Sequence, residues 1–143
     1  MTWISYKSRP DPKLQRIKIR VVKVGGSLFD LPDLRGALAR WTARQSPANN
    51  VLIAGGGPLV DLIRKVDQPL RLDAEKVHWA CISVLAASAR LMAALLPEAN
   101  LIESYAVLRR QVERSDTGLF VFSVERFLRI QEESAGGLKL PYG

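Results

Sequence analysis

Two glycine turns, each closing a short apolar run, constrain this chain more than anything else in it. Val21-Val22-Lys23-Val24 runs into Gly25-Gly26-Ser27, and Val51-Leu52-Ile53-Ala54 runs into Gly55-Gly56-Gly57-Pro58. Apolar, β-branched runs of this length read as strands buried in a parallel sheet. A strand that stops at glycine and turns into a helix leaves backbone N–H groups bare, and those groups together with the helix dipole attract anions. The pair of turns therefore predicts a phosphate-binding floor. Lys23 stands two residues before the first glycine pair in a strand otherwise made of valine. A buried cation there is costly unless it is engaged, so its ammonium is expected to reach a phosphate. The plainer alternatives are a lysine that snorkels to solvent and glycines that serve only a turn.

The order of elements follows from the same punctuation. Residues 1–16, with Pro10 and Pro12 and no periodicity, read as an irregular basic lead-in, and residues 17–143 as one α/β domain. Ile17 to Val24 is expected to be the first central strand, covered on both faces. Asp30 is placed as the cap of a first helix, with Pro32 in its first turn and Leu31, Leu34, Leu38 and Trp41 at helical spacing. That helix should end near Gln45, before an Asn49-Asn50 turn. Val51 to Ala54 is the second buried strand, and Leu59, Leu62, Ile63 and Val66 mark the helix after the triple glycine. Asp73 should cap a long helix with a stripe of Val77, Cys81, Val84, Leu85, Ser88, Leu91, Met92 and Leu95, stopped by Pro97. A short strand at Leu101-Ile102, a turn or two of helix from Tyr105 to Val112, a strand from Leu119 to Phe122 and a loop at Gly136-Gly137 complete the reading. Strand, helix, strand, helix in this order predicts a three-layer α-β-α arrangement around a mainly parallel sheet.

Composition narrows the classes. A chain of 143 residues is one domain of ordinary size, with no room for a second. No apolar run approaches the roughly 18 residues of a membrane span, and the N-terminus lacks the apolar core of a secretory signal, so a cytoplasmic location is expected. Cys81 is the single cysteine, which excludes an internal disulfide and a thiolate zinc cluster; it reads as a small apolar residue within a helix. His78 is the single histidine, expected as a partly buried ring with its polar atoms satisfied, and Trp79 as a packing residue. A formal charge of +7 and a pI near 10.0 raise a polyanion as partner. The basic residues Lys13, Arg16, Lys18 and Arg20 have no interleaved aromatics, however, and a solvated basic face is the better reading than a nucleic-acid site.

Lys23-Val24-Gly25-Gly26-Ser27 after a valine strand, followed by Gly55-Gly56-Gly57-Pro58 after the next, resembles the amino acid kinase family, which includes aspartate, acetylglutamate and uridylate kinases. The resemblance is closest to a small branch that includes kinases of methanofuran-type cofactor synthesis. It is carried further by Gly55-Gly56-Gly57-Pro58-Leu59-Val60-Asp61, by His78-Trp79 and by Val121-Phe122. It covers roughly residues 17–143, matching the N-terminal, phosphoryl-acceptor part of a carbamate kinase-like fold. Members of the family are longer, and their C-terminal half supplies the adenine pocket, a second lysine and an organising aspartate. Relative to them this chain is truncated.

The resemblance implies roles residue by residue. Lys23 would meet the transferring phosphoryl group. Gly25, Gly26 and Ser27 would approach the nucleotide phosphates, Ser27 either as a donor or merely as a cap. Gly55, Gly56, Gly57 and Asp61 would line the acceptor side. ATP with Mg²⁺ would be the donor, and a small carboxylate or phosphate the acceptor. Phosphoryl transfer rests on positioning and charge stabilisation more than on a covalent residue, and a lysine with two glycine turns is suitable equipment. A second reading is a catalytically silent half-domain that keeps the phosphate floor as a binding or assembly module. In either case an edge strand and apolar helix faces would be left uncovered, so a homo-oligomer or a protein partner is expected.

Overall fold

The computed structural model describes residues 17–134. The lead-in over residues 1–16 and the Gly136-Gly137 loop lie outside the described residues. Within them the elements run β1 (Ile19–Val24), a 3₁₀ turn (Gly26–Asp30), α1 (Leu34–Ala43), β2 (Asn49–Ala54), α2 (Gly57–Leu70), α3 (Ala74–Leu95), β3 (Asn100–Ile102), α4 (Tyr105–Arg114), β4 (Leu119–Phe122) and α5 (Glu125–Glu133). The four strands form one wholly parallel sheet in the order β1-β2-β4-β3, with helices on its faces. This is the expected three-layer α/β arrangement.

Alternation along the strands divides the core into two layers. On one face Val24, Leu52, Ala54 and Val121 pack with Ala89 and Met92 of α3 and with Leu96. On the other, Val51, Phe120, Phe122 and Ile102 pack with Leu108 and Val112 of α4. α3 is long and apolar enough to cross a membrane by length and composition alone. Through Ala89 and Met92 it is seated on the sheet.

The first strand departs from its expectation. It begins at Ile19 and forms one edge of the sheet rather than its centre. Val21 stands in register with Val51, which in turn stands in register with Phe120. Along that row exposure falls from 63% at Val21 to 3% at Val51 and 2% at Phe120. No described helix covers the row at β1, so Ile19, Val21 and Lys23 line an open face.

Three other boundaries move for identifiable reasons. α1 is preceded by Asp33 rather than Asp30, because Leu31, the residue before Pro32, is held extended (φ −77°, ψ 115°) and separates the 3₁₀ turn from the helix. The Asp33 carboxylate pairs with Arg40 at 2.8 Å instead of capping. Asn49 and Asn50 form no turn; they open β2, buried to 0% and 6% exposure. Asn49 Nδ2 donates to the carbonyls of Ser115 (2.7 Å) and Val112 (3.3 Å), and Asn50 Oδ1 accepts from Arg20 at 2.8 Å. Buried amides are tolerated on such terms. The helix after β3 is ten residues long, and α5 was not expected at all. The Asp73 cap holds: its side chain accepts from the Lys76 N–H at 3.0 Å. In the stripe that follows, Ser88 and Met92 are buried as expected, whereas Leu91 is 55% exposed and Ile82, Ala86 and Ala89 take the core positions.

Candidate functional site

The two glycine turns meet at the C-terminal edge of the sheet, where ligands of open parallel α/β sheets commonly bind. β1 and β2 pair in register to their last residues, Val24 beside Ala54, and Gly55 N–H donates to the Val24 carbonyl at 2.8 Å. The turns thus leave the sheet side by side. Gly26 and Gly57 touch backbone to backbone: a Cβ on Gly26 would strike the main chain of Gly57, and one on Gly57 would strike Gly26. Gly57 also has φ +54°, in the left-handed region. A Cβ on Gly55 would lie 2.9 Å from the Gly26 amide nitrogen. Close approach of the two chain segments is therefore a sufficient reason for Gly26, Gly55 and Gly57.

The contact sets the N-terminus of the 3₁₀ turn beside that of α2. Neither end is closed by a side-chain hydrogen bond at its capping residue, Gly25 or Gly56. A first helical turn has N–H groups without intrahelical partners, and the fourteen-residue α2 adds its dipole. Pro58 sits in that first turn and removes one donor. This is an anion-favouring edge built from main chain.

The predicted side chains fall around it unevenly. Lys23 precedes Gly25 by two residues but is exposed on the open face of β1, opposite the face that carries Val24. Its position costs no burial energy, so the argument that a buried lysine must be engaged does not apply. Among the described residues Lys23 takes no ion pair or hydrogen bond, and its ammonium is available. Ser27 is exposed in the 3₁₀ turn, with Oγ 3.8 Å from where a Cβ on Gly25 would stand. Asp61 is exposed on α2, one turn beyond Gly57. The structure brings the five glycines together and leaves Lys23, Ser27 and Asp61 exposed.

A polar cluster that the sequence reading did not find joins α3 to α5. Ser83 Oγ donates to Glu125 Oε1 at 2.7 Å, and Arg129 reaches the same oxygen at 3.2 Å. The Ser83 hydrogen bond is the largest influence on Glu125, and with Arg129 it holds the carboxyl below the usual range against the opposing effect of burial. Arg129 also lies over the Trp79 ring, 4.4 Å from its centroid. His78 stands edge-on to Trp79, and its Nε2 is 3.9 Å from the Glu132 carboxylate, with side chains 14% and 12% exposed. His78 is thus partly buried, as expected, and has a carboxylate beside it. The missed signal was the helical spacing of Val124, Phe127, Leu128 and Gln131, which marks α5.

Among the described residues no three carboxylate, imidazole or thiolate side chains converge on a metal-ion position. No protein-family model matches the chain. Over 107 residues it is 27% identical to the (5-(aminomethyl)furan-3-yl)methyl phosphate kinase of Methanocaldococcus jannaschii. The match takes in 72% of this chain and 47% of that kinase, so the chain spans about half the length of the curated relative it matches. The chain is similar to a kinase.

Proposed function

We propose that this chain is the phosphoryl-acceptor part of an amino acid kinase-like phosphotransferase that moves the γ-phosphoryl group of ATP to a small carboxylate or phosphate acceptor. The observation that carries the reading is the main-chain contact of Gly26 with Gly57, which sets two uncapped N-termini side by side at the C-terminal sheet edge. Similarity to a phosphate kinase supports the reaction class.

In this reading Gly25, Gly26 and Ser27 approach the nucleotide phosphates, and Gly55, Gly56 and Gly57 flank the acceptor, with Asp61 at its outer side. The Lys23 ammonium swings over the rim to the transferring group. As the bond from phosphorus to the β,γ-bridging oxygen breaks and the bond to the acceptor oxygen forms, negative charge spreads over the phosphoryl oxygens. The Lys23 ammonium and backbone N–H groups stabilise that charge, the N–H groups without reorganising. Mg²⁺ would come with the nucleotide and supply further charge neutralisation at the phosphates. In the same reading residues 17–143 belong to the acceptor portion.

A second reading, a binding module without turnover, is favoured by the open apolar face of β1 and by α2, none of whose residues is buried. Calorimetric titration with Mg·ATP, ADP and inorganic phosphate separates the two. The kinase reading expects Mg·ATP to bind and the Lys23→Ala variant to bind it more weakly. Absence of binding by all three ligands sinks the kinase reading for this chain and leaves the module.

A further inference from the structure

Among the described helices, α4 is where positive charge is least neutralised. On α1, Arg35 pairs with Glu98 and Arg40 with Asp33, and α2 and α5 hold at least as many acids as bases. α4 sets Arg109, Arg110 and Arg114 against one acid, Glu113. Arg109 bonds Glu113 through Nε at 3.0 Å, while Arg110 and Arg114 take no ion pair or side-chain hydrogen bond among the described residues. Both are exposed, and four residues apart they stand one above the other on one side of the helix. The first turn of α4 adds an aromatic ring. Tyr105 is 55% exposed, yet its ring is backed by Phe127 at 5.4 Å between centroids, and Phe127 by the buried Phe122 at 6.2 Å. Among Tyr105, Arg109, Arg110 and Glu113, the small side chain of Ala106 leaves a notch of about 370 Å³. The basic residues near the N-terminus have no aromatic among them, whereas α4 has one within a turn or so of its arginines.

We propose that this face of α4 binds single-stranded nucleic acid, with one base stacked on Tyr105 over the notch and backbone phosphates on Arg109, Arg110 and Arg114. The inference is independent of phosphoryl transfer, since α4 follows β3, the described strand farthest from β1 and its glycine turn. Aromatic rings under bases and cations along the backbone are how proteins hold single strands without reading sequence. A ring already backed by two others loses little freedom on stacking, so less of the contact energy is spent on ordering it. Two features favour a strand over a free nucleotide. The notch lies on the outer side of the helix, away from the buried Leu108 and Val112, and cannot enclose most of a small ligand as small-molecule sites do. Arg114 then continues the row of cations one turn beyond the notch, where a further phosphate of a chain falls. In a duplex the base faces are stacked away and out of reach of Tyr105.

Fluorescence anisotropy of a labelled oligouridylate titrated with the full chain tests the proposal. Binding should weaken with salt, with a slope of about −2 in log K against log salt for three phosphate contacts. Arg110→Gln should make that slope shallower by about 0.7. Tyr105→Ala should weaken binding at least about fivefold, while Tyr105→Phe retains it, because the ring face and not the hydroxyl makes the contact. Arg64→Gln removes an equal charge from α2 and should change neither affinity nor slope. Each substitution is at an exposed position, and circular dichroism checks that the fold is retained. Absence of binding, or indifference to Tyr105→Ala, overturns the proposal. So does an equal loss with Arg64→Gln and Arg110→Gln, which would mean attraction to net charge alone. Tighter binding of the matching duplex overturns it as well, and a mononucleotide that binds as tightly as the oligomer would make the notch a free-nucleotide site instead.

Discussion

Ser83 and Glu125, 42 residues apart in sequence, meet at 2.7 Å and fasten α5 to the N-terminal half of α3. The hydroxyl donates to the charged carboxylate, which places the Glu125 pKa in the folded chain below its unfolded value. A depressed carboxylate pKa contributes stability above the unfolded pKa and loses it as pH falls through the folded one.

Ser83→Ala should therefore lower the unfolding temperature at neutral pH. The gap from the parent chain should narrow as pH drops below the ordinary carboxylate range, where Glu125 is protonated in both states. Thermal unfolding followed across that range checks it, and a gap that widened in acid would contradict the direction assigned to Glu125.

The glycines of the two turns are not equivalent. Gly26→Ala and Gly57→Ala each put a methyl group into the other's main chain, and the second also holds alanine at positive φ. Each should cost more than about 1 kcal/mol, the lower end of what strained backbone costs. Gly25 has φ −59°, and a Cβ there would meet only Ser27 Oγ at an ordinary 3.8 Å, so Gly25→Ala should cost little. Denaturant midpoints of the three variants rank them.

Lys23→Ala removes an exposed side chain and should leave stability within about 0.5 kcal/mol of the parent. If the proposed chemistry is right, phosphoryl transfer by the complete protein should fall about 10²–10³-fold, the usual effect of losing one charge-stabilising group. A loss of stability equal to the loss of activity would assign Lys23 to the fold instead.

Asn49→Ala takes the amide donor from the carbonyls of Val112 and Ser115 at a fully buried position. Leaving those acceptors unmet should cost about 1–3 kcal/mol. Met92→Ala, which empties the centre of the core beneath α3, should cost about 2–5 kcal/mol. Chemical denaturation monitored by tryptophan fluorescence measures both.

Much of the layer arrangement could be read from local signals. Val51 to Ala54 and Leu119 to Phe122 are buried strands because nothing in them is polar, and Asp73 caps α3 because it stands three residues before the Lys76 N–H that its side chain accepts. What could not be read depends on partners far along the chain. An Asn-Asn pair carries the composition of a turn, and only Val112 and Ser115, more than sixty residues away, make it a strand start. Valines cannot tell a central strand from an edge, because that is decided by where β4 inserts. The glycine turns were legible as a pair, but their close contact was not, and it supplies a packing reason for residues first read through an anion. Lys23 was singled out for a burial it does not have; its claim now rests on its place beside the turns and its unengaged ammonium.

The insertion of β4 between β2 and β3 also orders events in time. β3 leaves the ribosome before β4, its only strand neighbour among the described residues, and the distal side of β2 stays unpaired until Leu119–Phe122 has been made. The last of the described strands is the keystone, so this part of the sheet waits on contacts between residues some seventy apart. Until then two strands present unsatisfied main chain to whatever is near, and such a topology folds more slowly than one closed by local contacts.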